Sequence, residues 1–293
     1  MYVGLRKTIT IMKNILLLTD FTLKSDNAHA YAFDFFKGQE CEFHLLSIQK
    51  TWEYTTDDLM ASSPRGNIDN ALLGDNRTKV DAMIGHYKET YNSSSFTFQG
   101  HVDYDVFTDA ISQAVTAYNI DLVVCGTDGK TGIVENIFSS HALRIIRKVE
   151  CPVLVIPEKY RFITPKRIQY LLDYDDTFEM CGKEPLIDIT HKYASSIDVL
   201  RLTFGFHMED HEFEYEHTEI QKLFPSTTIR YARHIDENPV AVIRESLLKR
   251  SCQLQVLSAK NQTFLERIFS YSHLSQIVNT VTTPLLILRD CNS

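Results

Sequence analysis

Glycines, serines and a lysine gather between residues 126 and 141 in an arrangement suited to holding an anion. The stretch reads Gly126-Thr127-Asp128-Gly129-Lys130-Thr131-Gly132, then six residues, then Ser139-Ser140-His141. Glycine lets the main chain turn sharply and approach a ligand closely. Free N–H groups in such a loop, and at a helix start, attract phosphate. An apolar run, Leu122-Val123-Val124-Cys125, precedes the loop. A helix-like run follows it and leads to Cys151-Pro152-Val153-Leu154-Val155-Ile156-Pro157. A buried strand thus runs into a glycine loop, and a serine pair opens a helix. That is the chemistry of a nucleotide site.

Competing chemistries are weaker. Gly129-Lys130-Thr131 mimics the end of a P-loop, but the position five residues before Gly129 holds Val124, so the loop lacks the glycine it needs to wrap phosphates. His207 and His211 have the i, i+4 spacing of a zinc helix, with His217 nearby, yet no glutamate directly follows His207. The carboxylates from Glu209 to Glu219 read instead as a solvated helix face, and no metal site is expected. No Gly-x-Ser-x-Gly elbow is present, and His29, His44, His86 and His101 have no visible nucleophile partner. No catalytic residue is assigned.

The elements that must position the loop come from a repeat. Ile15 to Leu18 is an apolar run ending near Asp20, and Ile168 to Leu172 is another ending at Asp173. Pro152 follows His141 by eleven positions, and Pro284 follows His273 by eleven. Each proline leads into an aliphatic strand, Val153–Ile156 and Leu285–Leu288. Two domains are therefore expected, residues 12–158 and 165–290, in keeping with a length of 293.

In the first copy the pattern predicts strands at Ile15–Thr19, Glu42–Ile48, Ser95–Val102, Leu122–Cys125 and Val153–Ile156. Helices are expected near Ser25–Phe36, Arg77–Tyr91, from Val106, and Ser140–Lys148. Phe107, Ala110, Ile111, Ala114, Val115 and Tyr118 keep the helical rhythm. Thr51 to Asn76, rich in Asp, Ser, Asn and Gly, reads as a long surface loop. The second copy repeats the strands near Ile168–Leu172, Ile197–Thr203, Thr227–Tyr231, Leu254–Leu257 and Leu285–Leu288. Asp236, Asn238 and Pro239 mark a helix start there. Strands alternating with helices predict an α/β fold: two tandem Rossmann-like domains, each a five-stranded parallel sheet with helices on both faces. Ligands of such sheets sit beyond the strand C-terminal ends, where Asp20, Ile48 and Gly126 fall.

Composition narrows the setting. The net charge of −8 argues against nucleic-acid binding, which wants a basic patch. No apolar run reaches the roughly 18 residues of a membrane span. The six cysteines form no Cys-x-x-Cys pair, and several sit in apolar strands as reduced thiols do. A cytoplasmic protein is expected.

The loop spacing resembles that of the universal stress protein family, in which a glycine, two residues, a second glycine and nine residues precede Gly-Ser or Gly-Thr. Here these slots hold Gly126, Gly129, Ser139 and Ser140, so Ser139 replaces a glycine. The closing Cys-Pro-Val-Leu-Val-Ile-Pro strand is similar too. The resemblance implies an adenine-nucleotide site for ATP, with AMP or ADP as alternatives and Mg as a companion ion. Thr19 and Ile48 would wall the base, and Asp20 would accept from the nucleoside. Cys125 and Gly126 would lie along the sugar. Gly129, Lys130, Gly132, Ser139, Ser140 and His141 would surround the phosphates. Asp128 and Ser139 depart from this pattern. The second loop carries Ser258, Asn261 and Phe264 where the first has Gly126, Gly129 and Gly132, so it is expected to bind no phosphate.

The resemblance further implies a stress-response role with slow hydrolysis or none. The alternative is an interaction scaffold of the same fold without nucleotide. It also implies that Val153–Ile156 and Leu285–Leu288 pair, joining the two copies as an intramolecular pseudo-dimer. Association of two chains into a homo-dimer is left open by the sequence.

Overall fold

The computed structural model describes residues 13–49, 68–127, 140–172, 182–202, 209–234, 252–259 and 283–289. The first half runs β1 (Lys13–Thr19), α1 (Leu23–Phe36), β2 (Cys41–Ile48), α2 (Ile68–Thr90), β3 (Phe96–Asp103), α3 (Phe107–Ala117), β4 (Leu122–Thr127), α4 (Ser140–Lys148) and β5 (Val153–Pro157). The second runs β6 (Arg167–Leu172), α5 (Glu184–Tyr193), β7 (Ser196–Leu202), α6 (Asp210–Leu223), β8 (Ile229–His234), β9 (Leu254–Ala259) and β10 (Leu285–Arg289).

The ten strands form one sheet rather than two separate ones, in the order β3-β2-β1-β4-β5-β10-β9-β6-β7-β8. Each half keeps the order 3-2-1-4-5 internally, and its pairs are parallel. The halves meet where β5 and β10 pair antiparallel, with Val153 opposite Ile287 and Val155 opposite Leu285. An aliphatic edge strand leaves backbone donors and acceptors unpaired, and a second such strand satisfies them. Merging the sheets also continues the core. On one face Leu16, Val123, Val153, Ile287 and Leu257 belong to one apolar cluster. On the other, Ile15, Leu17, Leu154, Leu286 and Val256 belong to another.

Burial on both faces explains why the central strands read as unbroken aliphatic runs. Ile15, Leu16 and Leu17 are successive residues, all fully buried. Helix α1 is enclosed on several sides, and Tyr31, Phe33, Phe35 and Phe36 on it are buried. A helix apolar around most of its circumference belongs inside. Helix α3 shows the ordinary one-sided pattern: Ala110, Ile111 and Ala114 are buried, while Phe107, Val115 and Tyr118 pack on the same cluster.

Two expectations are corrected. Helix α2 begins at Ile68, so residues 68–76 are helical and not surface loop. Gly74, Asp75 and Asn76 disguised this turn, because such residues favour loops when nothing else decides. Tertiary contact overrides them here: Asn76 Nδ2 donates to Ser47 Oγ at the end of β2, at 3.3 Å. Residues 51–67 lie outside the described residues, as does the helix start at Asp236. Strand β4 also runs two residues further than expected. Gly126 and Thr127 pair with Ile156 and Pro157 and close the strand rather than open the loop.

Candidate nucleotide site

The order 3-2-1-4-5 places a switch point between β1 and β4. From β1 the chain crosses to β2 on one side, and β4 lies on the other. Helices leaving two such strands diverge and leave a crevice above the strand ends. Parallel pairing of Leu17 with Val124 brings the end of β1 level with the end of β4. Pairing of Thr19 with Ser47 puts the end of β2 beside them. Thr19, Asp20, Ile48, Cys125 and Gly126 thus come to one end of the sheet. Ser140 and His141 form the first turn of α4. Gly129, Lys130, Gly132 and Ser139 lie outside the described residues, as do Asp128 and, in the second half, Asp173, Asn261 and Phe264.

Asp20 stands half-exposed in the turn joining β1 to α1. Its Oδ1 accepts from the Thr22 N–H at 3.2 Å and from the Thr22 hydroxyl. Its Oδ2 lies 3.3 Å from Lys24 Nζ. Partial burial raises the carboxyl pKa, but the Thr22 hydrogen bonds and the Lys24 ammonium outweigh it and leave the pKa lowered. The group is therefore an anion at neutral pH. The N-cap of α1 is Thr22, and Asp20 organises the turn ahead of that cap.

Thr19 is buried, and its hydroxyl serves the same turn. Its Oγ1 accepts from the Phe21 N–H at 3.1 Å and lies 3.4 Å from Ser25 Oγ. Phe21 between them has φ of 59°, a left-handed conformation rare for a bulky side chain. Strain of this kind persists only where surroundings enforce it, and it is common at ligand sites. Ile48 is half-buried at the end of β2 and packs on the apolar cluster. Cys125 is buried in that cluster, and burial pushes its thiol up to about 12.

Gly126 has a steric reason to be glycine. A Cβ there would lie 2.5 Å from the Lys24 carbonyl oxygen and 2.8 Å from its carbon. The first turn of α1 therefore rests directly on the backbone of β4.

Residues 12–157 match the model of the Universal stress protein family. The chain belongs to this family. Among solved structures, a universal stress protein from Archaeoglobus fulgidus is similar at 13% identity and a TM-score of 0.68. The similarity covers 94% of this chain and 98% of that one. A functionally unknown protein from Pseudomonas aeruginosa is similar at 13% identity and a TM-score of 0.51, covering 95% and 92%. At such identities these likenesses speak to the fold, and both extend over the second half. No curated protein matches.

Several residues around this universal stress protein crevice escaped sequence reading. Lys24 is one that spacing could have revealed, because it stands four residues after Asp20 in a helix start. Lys79 on α2 sits 5.2 Å over the Phe21 ring, and Met83 Sδ lies 3.9 Å from Thr19 Oγ1. Nothing in the sequence announces these contacts, which arise because α2 crosses beside the end of β1. Among the described residues no group of three metal-binding side chains gathers, and no helix is long and apolar enough to cross a membrane.

His29 lies fully buried beneath the crevice. Its Nε2 is 3.0 Å from the Leu18 carbonyl, so Nε2 donates, and Nδ1 must accept from the Tyr87 hydroxyl 2.9 Å away. Burial pulls its pKa down to about 4, against smaller upward pulls from the Leu18 carbonyl and Asp20. The folded state thus resists a proton that the unfolded chain accepts near pH 6.5. Stability present above pH 6.5 is lost as pH falls towards 4, by about 3 kcal/mol at most from this group. Urea midpoints measured across that range should fall, and His29→Gln should flatten the slope. An unchanged slope in the variant would assign the acid sensitivity elsewhere.

Proposed function

We propose that residues 12–158 form a nucleotide-binding unit of a cytoplasmic stress-response protein, and that it takes ATP, with ADP or AMP as alternatives and Mg as a companion ion. The observation that carries this reading is the convergence of Asp20, Ile48 and Gly126 at the β1/β4 switch point in a member of the universal stress protein family. Asp20 is an anion able to accept from a ribose hydroxyl or an adenine amino group, and Lys24 and Lys79 add positive charge at the same end. Thr19 and Ile48 flank the base, Cys125 and Gly126 present main chain to the sugar, and the loop holding Gly129, Lys130 and Gly132 meets the phosphates. Ser139, Ser140 and His141 supply donors at the start of α4.

Residues 165–290 form the companion unit, and the β5–β10 pair makes the chain a pseudo-dimer of two related halves. Ser258 stands at the end of β9, where the first half has Gly126, and it is buried. One nucleotide per chain follows, held by the first half. Further pairing of chains into a homo-dimer is compatible with this arrangement. A nucleotide-free interaction scaffold is the second reading, favoured by Asp20 itself, whose oxygens already serve Thr22 and Lys24.

Calorimetric titration of the whole chain with ATP and AMP, with and without magnesium, separates the two. One site per chain is expected. Gly129→Val should abolish binding without unfolding the protein, because a branched side chain blocks the close approach of phosphate. Asp20→Ala should weaken binding by about tenfold or more, the worth of one charge-assisted hydrogen bond, while Asp173→Ala should leave it unchanged. No heat with either nucleotide would favour the scaffold. Equal losses from both aspartate variants would refute the asymmetry between the halves.

A further inference from the structure

A cavity of about 330 Å³ lies at the other end of the first half's sheet, on the seam between the halves. Its floor is aliphatic: Ile15, Leu122, Leu154 and Leu286 come from the four adjacent strands β1, β4, β5 and β10. Phe35 and Phe36 of α1 face Ile189 of α5 across it. The volume falls at the small end of ligand pockets. It has room for on the order of ten water-sized groups.

One cation, Lys192, lines this apolar space with no carboxylate within salt-bridge distance among the described residues. Lys192 Nζ donates to the Phe35 carbonyl at 2.6 Å and to Gln39 Oε1 at 3.3 Å. The faces of Tyr193 and Phe36 lie 5.1 and 6.0 Å away. Burial lowers its pKa to about 8, which still leaves it mainly charged at neutral pH. Arg289 at the rim turns its guanidinium to the other face of the sheet, where it donates to the Ile146 carbonyl and feels the Glu150 carboxylate. The carboxylates lining the cavity have other partners or face solvent. Asp188 pairs with Lys13, Asp121 accepts from the Asn14 N–H at 2.8 Å, and Glu184 is exposed in the first turn of α5. A cation held in apolar surroundings without a counter-charge is costly. An incoming anion removes that cost and gains a short charge-assisted hydrogen bond.

We propose that this cavity binds a small amphipathic carboxylate, its acyl chain on the aliphatic floor and its carboxylate on Lys192. Because β1, β4 and α1 belong to the first half and β10 and α5 to the second, the ligand would bridge the seam. The site is separate from the nucleotide crevice and does not depend on that reading.

The test is calorimetric titration of the full chain with octanoate and, as an uncharged counterpart of equal length, 1-octanol. Saturable binding of one octanoate per chain is expected, unchanged by ATP and at least tenfold tighter than 1-octanol. Lys192→Met keeps the apolar stem and removes the charge, and it should weaken octanoate at least tenfold, whereas Lys192→Arg should retain it. Should Lys192→Met fail to fold, Leu286→Phe, which fills the floor, must lose octanoate instead. Absence of saturable binding, equal affinity for 1-octanol, or wild-type affinity in a folded Lys192→Met or Leu286→Phe protein overturns the proposal.

Discussion

Gly126→Val is expected to cost more stability than any other single change in the first half's crevice. The new Cβ would stand 2.5 Å from the Lys24 carbonyl oxygen and 3.3 Å from the Ser25 nitrogen. Both are main-chain atoms of α1's first turn, so no side chain can swing aside. Helix α1 cannot retreat freely either. Asn27 Nδ2 donates to the carbonyls of Pro157 and Tyr160 at 3.1 and 3.0 Å, and Arg161 donates to Asn27 Oδ1 at 2.8 Å. Overpacking of well-fitted interiors costs about 1–3 kcal/mol, and a branched residue against fixed backbone should exceed the upper end. Gly126→Ala should already cost about 1–3 kcal/mol. Chemical denaturation would measure both. An alanine variant as stable as the parent would show that α1 slides, and the steric account of this glycine would fall. The contrast with Gly129→Val is informative, because that change should remove ligand while sparing the fold.

Glu216→Ala should destabilise the second half by about 3–5 kcal/mol, the usual cost of removing one partner of a buried ion pair. Arg201 near the end of β7 is fully buried. Its Nε donates to Glu216 Oε2 at 3.1 Å, and a terminal nitrogen lies 2.8 Å from Glu216 Oε1. Tyr231 of β8 donates to the same carboxylate. Burial alone would lower the guanidinium pKa, yet Tyr231 and Glu216 reverse the shift and raise it. Truncating Glu216 therefore removes the carboxylate from beside a buried guanidinium that cannot shed its proton. Replacing both partners, Arg201→Met with Glu216→Leu, should recover most of the loss, since apolar residues of similar volume often substitute for a buried pair. Denaturant midpoints of the single and double variants decide this. A single-variant loss under about 1 kcal/mol would mean that water reaches the guanidinium and the pair behaves as a surface one.

The strands, the α/β class and the repeat were legible in the sequence because they rest on local pattern. Ile15 to Leu18, Leu122 to Cys125 and Leu285 to Leu288 are aliphatic runs too short for helices, and a strand buried on both faces needs nothing else. The spacing of glycine and serine around residues 126–140 marked the family by the same local means. Tertiary structure decided what spacing cannot carry. It extended α2 back through Gly74 to Ile68, because contact with the end of β2 outweighed loop-forming residues. It placed Phe21 at positive φ through the Thr19 hydroxyl and the packing around the turn. It showed that Gly126 is small for the sake of α1, a neighbour a hundred residues earlier in the chain. It fused the sheets through β5 and β10 and so created a cavity whose walls belong to both halves. Each of these depends on atoms far apart in sequence meeting at contact distance, and periodicity records only what lies within a turn or two.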